Sequence, residues 1–116
     1  MNRYLVFNLT EKGVVARARL LDDQAPETCR AIWHHLPYEG PCAHAMFSGT
    51  AAVLFIDSSI EIPPENTTTH IQTNDVMFTH YDAHVRHGHP EPLSEIYWAY
   101  DRYCVPTVPG QLIPVY

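Results

Sequence analysis

The sequence predicts a mainly β domain with one α-helix, arranged as a small closed β-barrel or a strongly curved sheet. Several segments alternate between apolar and polar residues, which is typical of strands with one face in a core. Only one segment has helical periodicity with both of its ends marked. The chain of 116 residues is long enough to bury a core as one domain over residues 1–116. No apolar run approaches the 18 or more residues of a membrane helix.

The first two strands are expected to form an antiparallel hairpin. Residues 3–9 alternate, and residues 14–20 alternate again with Arg17 and Arg19 directed to water. Gly13, in the short segment between them, can adopt the positive φ that a tight turn needs.

The helix follows the hairpin. Pro26 suits the first helical turn, and Glu27 places negative charge at the positive end of the helix dipole. Pro37 cannot continue the helix. The apolar positions are spaced at i, i+3, i+4 and i+7, which defines one helical face: Cys29, Ile32, Trp33 and Leu36. We expect this face to join the first strand in one apolar cluster, made of Leu5, Phe7, Ile32, Trp33 and Leu54.

The remaining segments are predicted to be strands and loops. Residues 38–47 are mixed, and residues 48–50 form a turn or bulge. The continuous apolar run 51–56 predicts a strand covered on both faces. The other predicted strands are 67–72, 76–81 and 94–101, with surface loops at 57–66 and 82–93. The proline-rich tail 105–116 is expected to form an extended edge or an oligomer arm.

The helix and its flanks contain a pattern of small residues, prolines and glycines: Ala25, Pro26, Thr28, Leu36, Pro37, Gly40, Ser48 and Gly49. This pattern resembles the small cyclophilin-like proteins of the DUF3830 family. Residues 74–78 and 95–100 are similar to two later strands of that family, although Asn74 stands where glycine is usual. The resemblance implies a cyclophilin-like closed β-barrel with one helix, and it implies little about activity. No arginine lies in a segment like the prolyl isomerase motif of true cyclophilins, so we do not expect that activity.

The composition limits which binding partners and which cellular compartment we expect. A net charge of −6 argues against binding to nucleic acid or to an anionic membrane surface. Three widely spaced cysteines argue against a secreted disulfide framework and for reduced thiols. The first ten residues lack the features of a signal peptide. We therefore expect a cytoplasmic protein.

Histidine is the strongest chemical signal, with eight histidines against seven lysines plus arginines. His44 and His80 lie on or at the ends of predicted strands, and Glu95 lies on a late strand. A barrel mouth would gather these three as a catalytic set, either as a general base or around one metal ion. The alternative is that they are half-buried barrel residues with satisfied ring nitrogens.

A second histidine group lies in the loop 82–93. His84, His87 and His89 are close enough in sequence to hold a divalent transition metal, with Glu91 or Asp82 as a carboxylate ligand. The spacing matches no named zinc motif, and the alternative is a solvated loop whose histidines never meet.

Ser48 and Tyr97 are the predicted ligand-binding residues at the same mouth. The sequence around Ser48 is not a nucleophile elbow, so a turn serine is favoured over a catalytic one. Tyr97 belongs to an aromatic strand of which one face must be core, and the other face suits a pocket or a subunit interface.

Three functions fit these patterns. The first is a hydrolase or lyase that acts on a small polar metabolite through His44, His80 and Glu95, with or without a metal. The second is a module that binds a small ligand or a metal without turnover. The third is a structural subunit, with the aromatic strand or the tail building a homo-oligomer.

Overall fold

The computed structural model describes residues 2–45, 48–85, 89–108, 111–112 and 115–116, and it is mainly β with one α-helix. The helix is α1, Pro26–His34. The strands of the described residues are β1 Tyr4–Leu9, β2 Val14–Arg19, β3 Cys42–His44, β4 Gly49–Ile56, β5 Val76–Tyr81, β6 Leu93–Cys104, β7 Thr107–Val108 and β8 Gln111–Leu112.

The predicted hairpin is confirmed. β1 and β2 pair antiparallel in a register that sets Tyr4 opposite Arg19. A 3-10 turn, Thr10–Lys12, connects them, and Gly13 closes it at φ 62° with its N–H donated to the Thr10 carbonyl. Arg17 and Arg19 are exposed, while the alanines between and before them are half-buried.

The helix begins at Pro26, as predicted, but its N-cap residue Ala25 has no side chain able to bond the first N–H groups. The carboxylate of Glu65 takes that role from a distant loop. Its Oε1 accepts from the Thr28 N–H at 2.6 Å and from the Thr28 hydroxyl at 2.7 Å. This contact joins the start of α1 to the segment between β4 and β5.

Four strands form the main sheet in the order β3-β4-β6-β5, and every neighbouring pair is antiparallel. The chain's last residue extends the sheet beyond β5. Tyr116 and Phe78 exchange two backbone hydrogen bonds, and Val115 forms a bridge with Thr68. The last two residues of the predicted tail, Val115 and Tyr116, therefore contribute an extended edge, one of the two roles predicted for the tail.

Both faces of the main sheet are covered, as the apolar run in β4 predicted. One face carries Ile56, Phe78 and Ile96, which pack with Leu5 of the hairpin and Ile32 of the helix. On the opposite face a second cluster contains Ala51, Val53, Met77, Tyr97, Ala99, Cys104 and Val115.

Most of the predicted apolar cluster is confirmed, but the placement of Trp33 is wrong. Leu5 and Ile32 are buried in the first cluster, and Phe7 and Leu54 pack against it. Trp33 is 39 % exposed and instead lies under the guanidinium of Arg3, whose carbon is 4.7 Å from the ring centroid. Of the four residues of the predicted face, Cys29 and Ile32 are buried, whereas Trp33 and Leu36 are exposed.

Two other expectations differ from the structure. Residues 67–72 form no strand beyond the isolated bridge at Thr68, because side-chain and turn hydrogen bonds of Thr68 and Asp75 organise this segment instead. Among the described residues the hairpin and the main sheet remain separate sheets, so no closed barrel is found. Within the same residues, no helix is long and apolar enough to cross a membrane.

Candidate functional site

A cleft of about 790 Å³ lies between the hairpin and the main sheet. β1 forms one wall, and β3 and β4 form the other. The end of α1 and the loop 38–41 close one side. The floor is apolar and is made of Leu5, Ile32, Leu54, Ile56, Ile60 and Ile96. The cleft exists because the hairpin meets the sheet through a few long side chains and not through strand pairing.

Polar groups stand at the rim of this cleft. The loop after the helix is held to β4 by the Tyr38 hydroxyl, which donates to the Phe55 carbonyl at 2.9 Å. His35 lines the cleft and has its Nε2 3.6 Å from Oδ2 of Asp57. The pKa of Asp57 is lowered first by the hydrogen bond from the Ser59 N–H and to a smaller extent by His35.

His44 is also at the rim, and both of its ring nitrogens are engaged. Nδ1 lies 2.9 Å from the Ala45 carbonyl, which can only accept, so Nδ1 carries a hydrogen. In the neutral ring, Nε2 then accepts from the Tyr100 hydroxyl at 2.6 Å. The two rings also meet edge to face, with centroids 5.7 Å apart. His44 is therefore held in one orientation, and its accepting nitrogen is occupied.

The structure does not bring together the predicted catalytic set of His44, His80 and Glu95. His44 lies on β3 and His80 on β5, the two outer strands of the four-stranded sheet. In the register of β6, His44 is level with Trp98 and His80 with Ser94. The two histidines are therefore roughly 20 Å apart, because three strand-to-strand spacings and four residues along the strand lie between them.

Glu95 is separated from His80 in a different way. Neighbouring residues on a strand point to opposite faces. His80 pairs with Ser94 and shares its face, whereas Glu95 pairs with Thr79 and lies buried, 3 % exposed, on the other face. The predicted alternative, half-buried residues with satisfied ring nitrogens, fits each histidine in one respect. Both ring nitrogens of His44 are satisfied although the residue is exposed, and His80 is half-buried with its Nδ1 bonded to Ser94.

Ser48 and Tyr97, the predicted ligand-binding residues, do lie together, but inside the protein. The Tyr97 hydroxyl is within hydrogen-bond reach of the Ser48 side chain and 3.3 Å from Sγ of Cys104. Burial, and secondarily the contact with Cys104, raises the pKa of Tyr97. Tyr97 is only 5 % exposed, on the face of the sheet opposite the cleft. This pair therefore forms a buried polar contact away from the cleft.

In the loop 82–93, the predicted metal ligands His84 and His89 are exposed. The His84 N–H donates to the His89 carbonyl at 2.7 Å and so closes the base of the loop. His89 Nδ1 is 2.9 Å from the Glu91 carbonyl. The third predicted ligand, His87, lies outside the described residues.

Cys42 belongs to the site although it was not among the predicted site residues. Cys42 is exposed and lines the cleft, whereas Cys29 and Cys104 are buried. Burial raises the pKa of both buried thiols. A signal was present in the sequence, since Cys42 and His44 are two residues apart and alternate residues of a strand share one face.

Comparison with known proteins identifies the family. The family described as "Protein of unknown function (DUF3830)" matches residues 7–105, which is most of the chain. The chain belongs to the DUF3830 family. The matched range includes β1 from Phe7 onward, β2, α1 and β3 to β6. Most of the cleft of this DUF3830 protein therefore lies inside the matched region, and Tyr4, Leu5 and Val6 of its lining precede it. A search of curated proteins finds no match.

Proposed function

We propose that this DUF3830 protein binds a small molecule with an apolar body and a polar end, and that it does so without turnover. The cleft between the hairpin and the main sheet carries the proposal. Its volume of about 790 Å³ is within the range of small-ligand sites, roughly 300–1,000 Å³. An apolar floor with a few polar groups at the rim is the usual composition of such sites. The apolar body would lie on Leu54, Ile56 and Ile96, and the polar end would face the rim near His35 and His44.

Binding is preferred to catalysis because the titratable groups do not converge. A general base needs an accepting nitrogen within reach of a substrate proton. His44 uses both ring nitrogens within the protein, and His80 and Glu95 lie far from it or on the other face. Among the described residues, the three groups of the hydrolase or lyase hypothesis therefore do not meet in the cleft.

A ligand screen with a cleft-filling variant tests the proposal. The 15N-labelled protein is titrated with a library of small aromatic and alicyclic acids, amines and alcohols, and amide shifts are followed. Ala52 is half-buried on β4 and lines the cleft, so Ala52→Trp places an indole in the proposed ligand position. Val15→Trp is the matched control, because Val15 is 66 % exposed and lies outside the cleft lining.

We expect at least one library member to cause saturable shifts at Leu54 and Ile96. Ala52→Trp should weaken its binding by about tenfold or more, while Val15→Trp should change it by less than about twofold. The proposal fails if no compound gives saturable shifts, or if a folded Ala52→Trp protein binds as tightly as the wild type.

Two further expectations remain proposals. Closure of the hairpin against the sheet around a ligand would bring the molecule nearer to the cyclophilin-like barrel that the family resemblance implies.

A homo-oligomer built on the aromatic strand would use Tyr100 and Tyr103, which are 40 % and 67 % exposed, rather than the buried Tyr97. Sedimentation velocity at micromolar concentration measures the second directly, and a single monomeric species would remove it.

A further inference from the structure

Outside the cleft, one histidine is buried beside two exposed carboxylates. His80 is the fifth residue of β5, and its side chain is only 8 % exposed. Asp82 follows the same strand, and Glu61 comes from the loop between β4 and β5. One ligand atom from each of the three residues lies within 4.8 Å of the others. The His80 Nε2 is 3.5 Å from Oδ1 of Asp82.

A buried serine fixes the orientation of the His80 ring. Ser94, which is 1 % exposed, donates its hydroxyl hydrogen to the Ile60 carbonyl at 2.7 Å. A hydroxyl has one hydrogen, so Ser94 Oγ must accept from His80 Nδ1, which is 2.8 Å away. The hydrogen of the neutral imidazole is therefore on Nδ1, and the lone pair is on Nε2, facing the carboxylates.

A similar arrangement orients metal-ligating histidines in proteins, with a carboxylate, a backbone carbonyl or a water as the usual acceptor. Such a histidine donates its other ring N–H to a protein acceptor, which fixes the tautomer and the direction of the ligating nitrogen. Here the acceptor is itself held by the backbone of Ile60, the residue before Glu61. The same two hydrogen bonds therefore position both the imidazole and the start of the segment that carries Glu61.

We propose that Glu61, His80 and Asp82 bind a divalent transition metal ion. One imidazole nitrogen and two carboxylate oxygens suit ions such as Mn²⁺, Fe²⁺, Co²⁺ and Zn²⁺, and the two carboxylates balance the double charge. Ligand atoms on one such ion lie about 3–4 Å apart, since each bond is about 2.0–2.2 Å long. The ligand atoms would have to move roughly 1–2 Å closer to one another. Asp82 and Glu61 are exposed, so their side chains can do this by changing rotamer. The remaining coordination positions open to solvent.

This site differs from the histidine-loop site that the sequence suggested. It uses Asp82 from that loop but neither His84 nor His89, and it adds Glu61 from a segment more than a dozen residues earlier. It is also independent of the proposed ligand cleft, so either proposal can fail alone.

Metal titration of untagged protein tests the site. The protein is stripped with a chelator and titrated with Zn²⁺ by calorimetry, and His80 ring nitrogens are followed by 15N NMR. Asp82→Asn and Glu61→Gln remove one ligand charge each and leave the buried histidine in place. Glu91→Gln is the matched control, because it removes an exposed carboxylate of the same loop that lies outside the group. A double variant, His84→Ala with His89→Ala, removes the two loop histidines that lie among the described residues.

We expect one Zn²⁺ per chain, with a shift of His80 Nε2 on binding. Asp82→Asn and Glu61→Gln should each weaken binding by about tenfold or more, the scale found for conserved groups around metal sites. Glu91→Gln and the double histidine variant should bind as the wild type does. Three outcomes would each overturn the assignment. They are the absence of saturable binding, binding that is unchanged in Asp82→Asn, and binding that is lost only in the histidine double variant.

Discussion

Gly49 occupies a position that no other residue can take without moving the backbone. Its φ is +92°, and it begins β4 at an irregularity in the pairing with β6. A Cβ added there would lie 1.9 Å from the carbonyl oxygen of Tyr103. The sequence-based assignment of a turn or bulge at residues 48–50 is confirmed, but the close approach of β6 requires the pairing register, which the sequence does not reveal.

Gly49→Ala should therefore destabilise the protein by about 2–5 kcal/mol, since positive-φ strain and steric overlap add. Gly13→Ala is the matched comparison. Gly13 also has positive φ, 62°, but nothing lies within 4 Å of its added Cβ, so strain alone should cost about 1–2 kcal/mol. Urea unfolding of both variants measures the difference, and equal losses would contradict the contact with Tyr103.

Glu65 replaces a missing local N-cap. Glu65→Ala should cost about 1–2 kcal/mol, because it leaves the Thr28 N–H and hydroxyl without their acceptor near the start of the helix. Thr28→Val removes only the hydroxyl half of the contact and should cost less. Helix ellipticity and urea unfolding test both, and a neutral Glu65→Ala would show that the helix start does not depend on this carboxylate.

Trp33 illustrates a limit of helical periodicity. The spacing of the apolar residues predicted the helix correctly. It does not show which of the four apolar residues on that face is buried most deeply in the core. Trp33→Ala should cost about 1–2 kcal/mol, from partial burial and the contact with Arg3, and not the 3–5 kcal/mol of a buried tryptophan. Ile32→Ala should cost more, about 2–5 kcal/mol. Thermal unfolding that ranked the two in reverse would restore Trp33 to the core.

Among the elements, β1 and β2 were predictable from alternation, most of β4 from its continuous apolar run, and α1 from its period and its prolines. The predicted strands 76–81 and 94–101 correspond to β5 and to most of β6. The site was harder to predict, because alternation gives the face of a side chain and not the order of strands in the sheet. His44 and His80 fall on the same face, yet β4 and β6 lie between them. The hydrogen bond from Ser94 to Ile60, the residue before Glu61, is a long-range contact without a local signal, so the grouping of Glu61 with His80 and Asp82 was not predictable.

The cleft wall formed by β3 gives a prediction about thiol chemistry. Cys42 should react with a thiol reagent in the native protein, and Cys29 and Cys104 should react only after unfolding. Burial limits access to the latter two and raises the pKa of their thiols, so less of the reactive thiolate is present at a given pH. Counting modified thiols by mass spectrometry tests this, with Cys42→Ser as the control. Modification of two or more thiols in the folded protein would contradict the burial pattern.

At the scale of the whole molecule, the mainly β class predicted from the sequence is confirmed. The predicted closure into a barrel is not found among the described residues. A barrel requires the hairpin to hydrogen-bond with the main sheet, and pairing between distant strands leaves little trace in a single sequence. The hairpin instead meets the sheet through Leu5, Phe7 and the helix residue Ile32. This indirect packing leaves the cleft on which the proposed function depends.

The most direct test of this account is the unfolding free energy of Ala52→Trp, measured by urea denaturation beside Val15→Trp. If the space between the hairpin and the main sheet is an open cleft of about 790 Å³, the indole fits into it. The free energy of unfolding should then stay within about 1 kcal/mol of the wild type, because no packed side chain is displaced. A loss of about 3 kcal/mol or more in Ala52→Trp, with Val15→Trp unaffected, would mean that the two layers are packed together and that no ligand cleft lies between them.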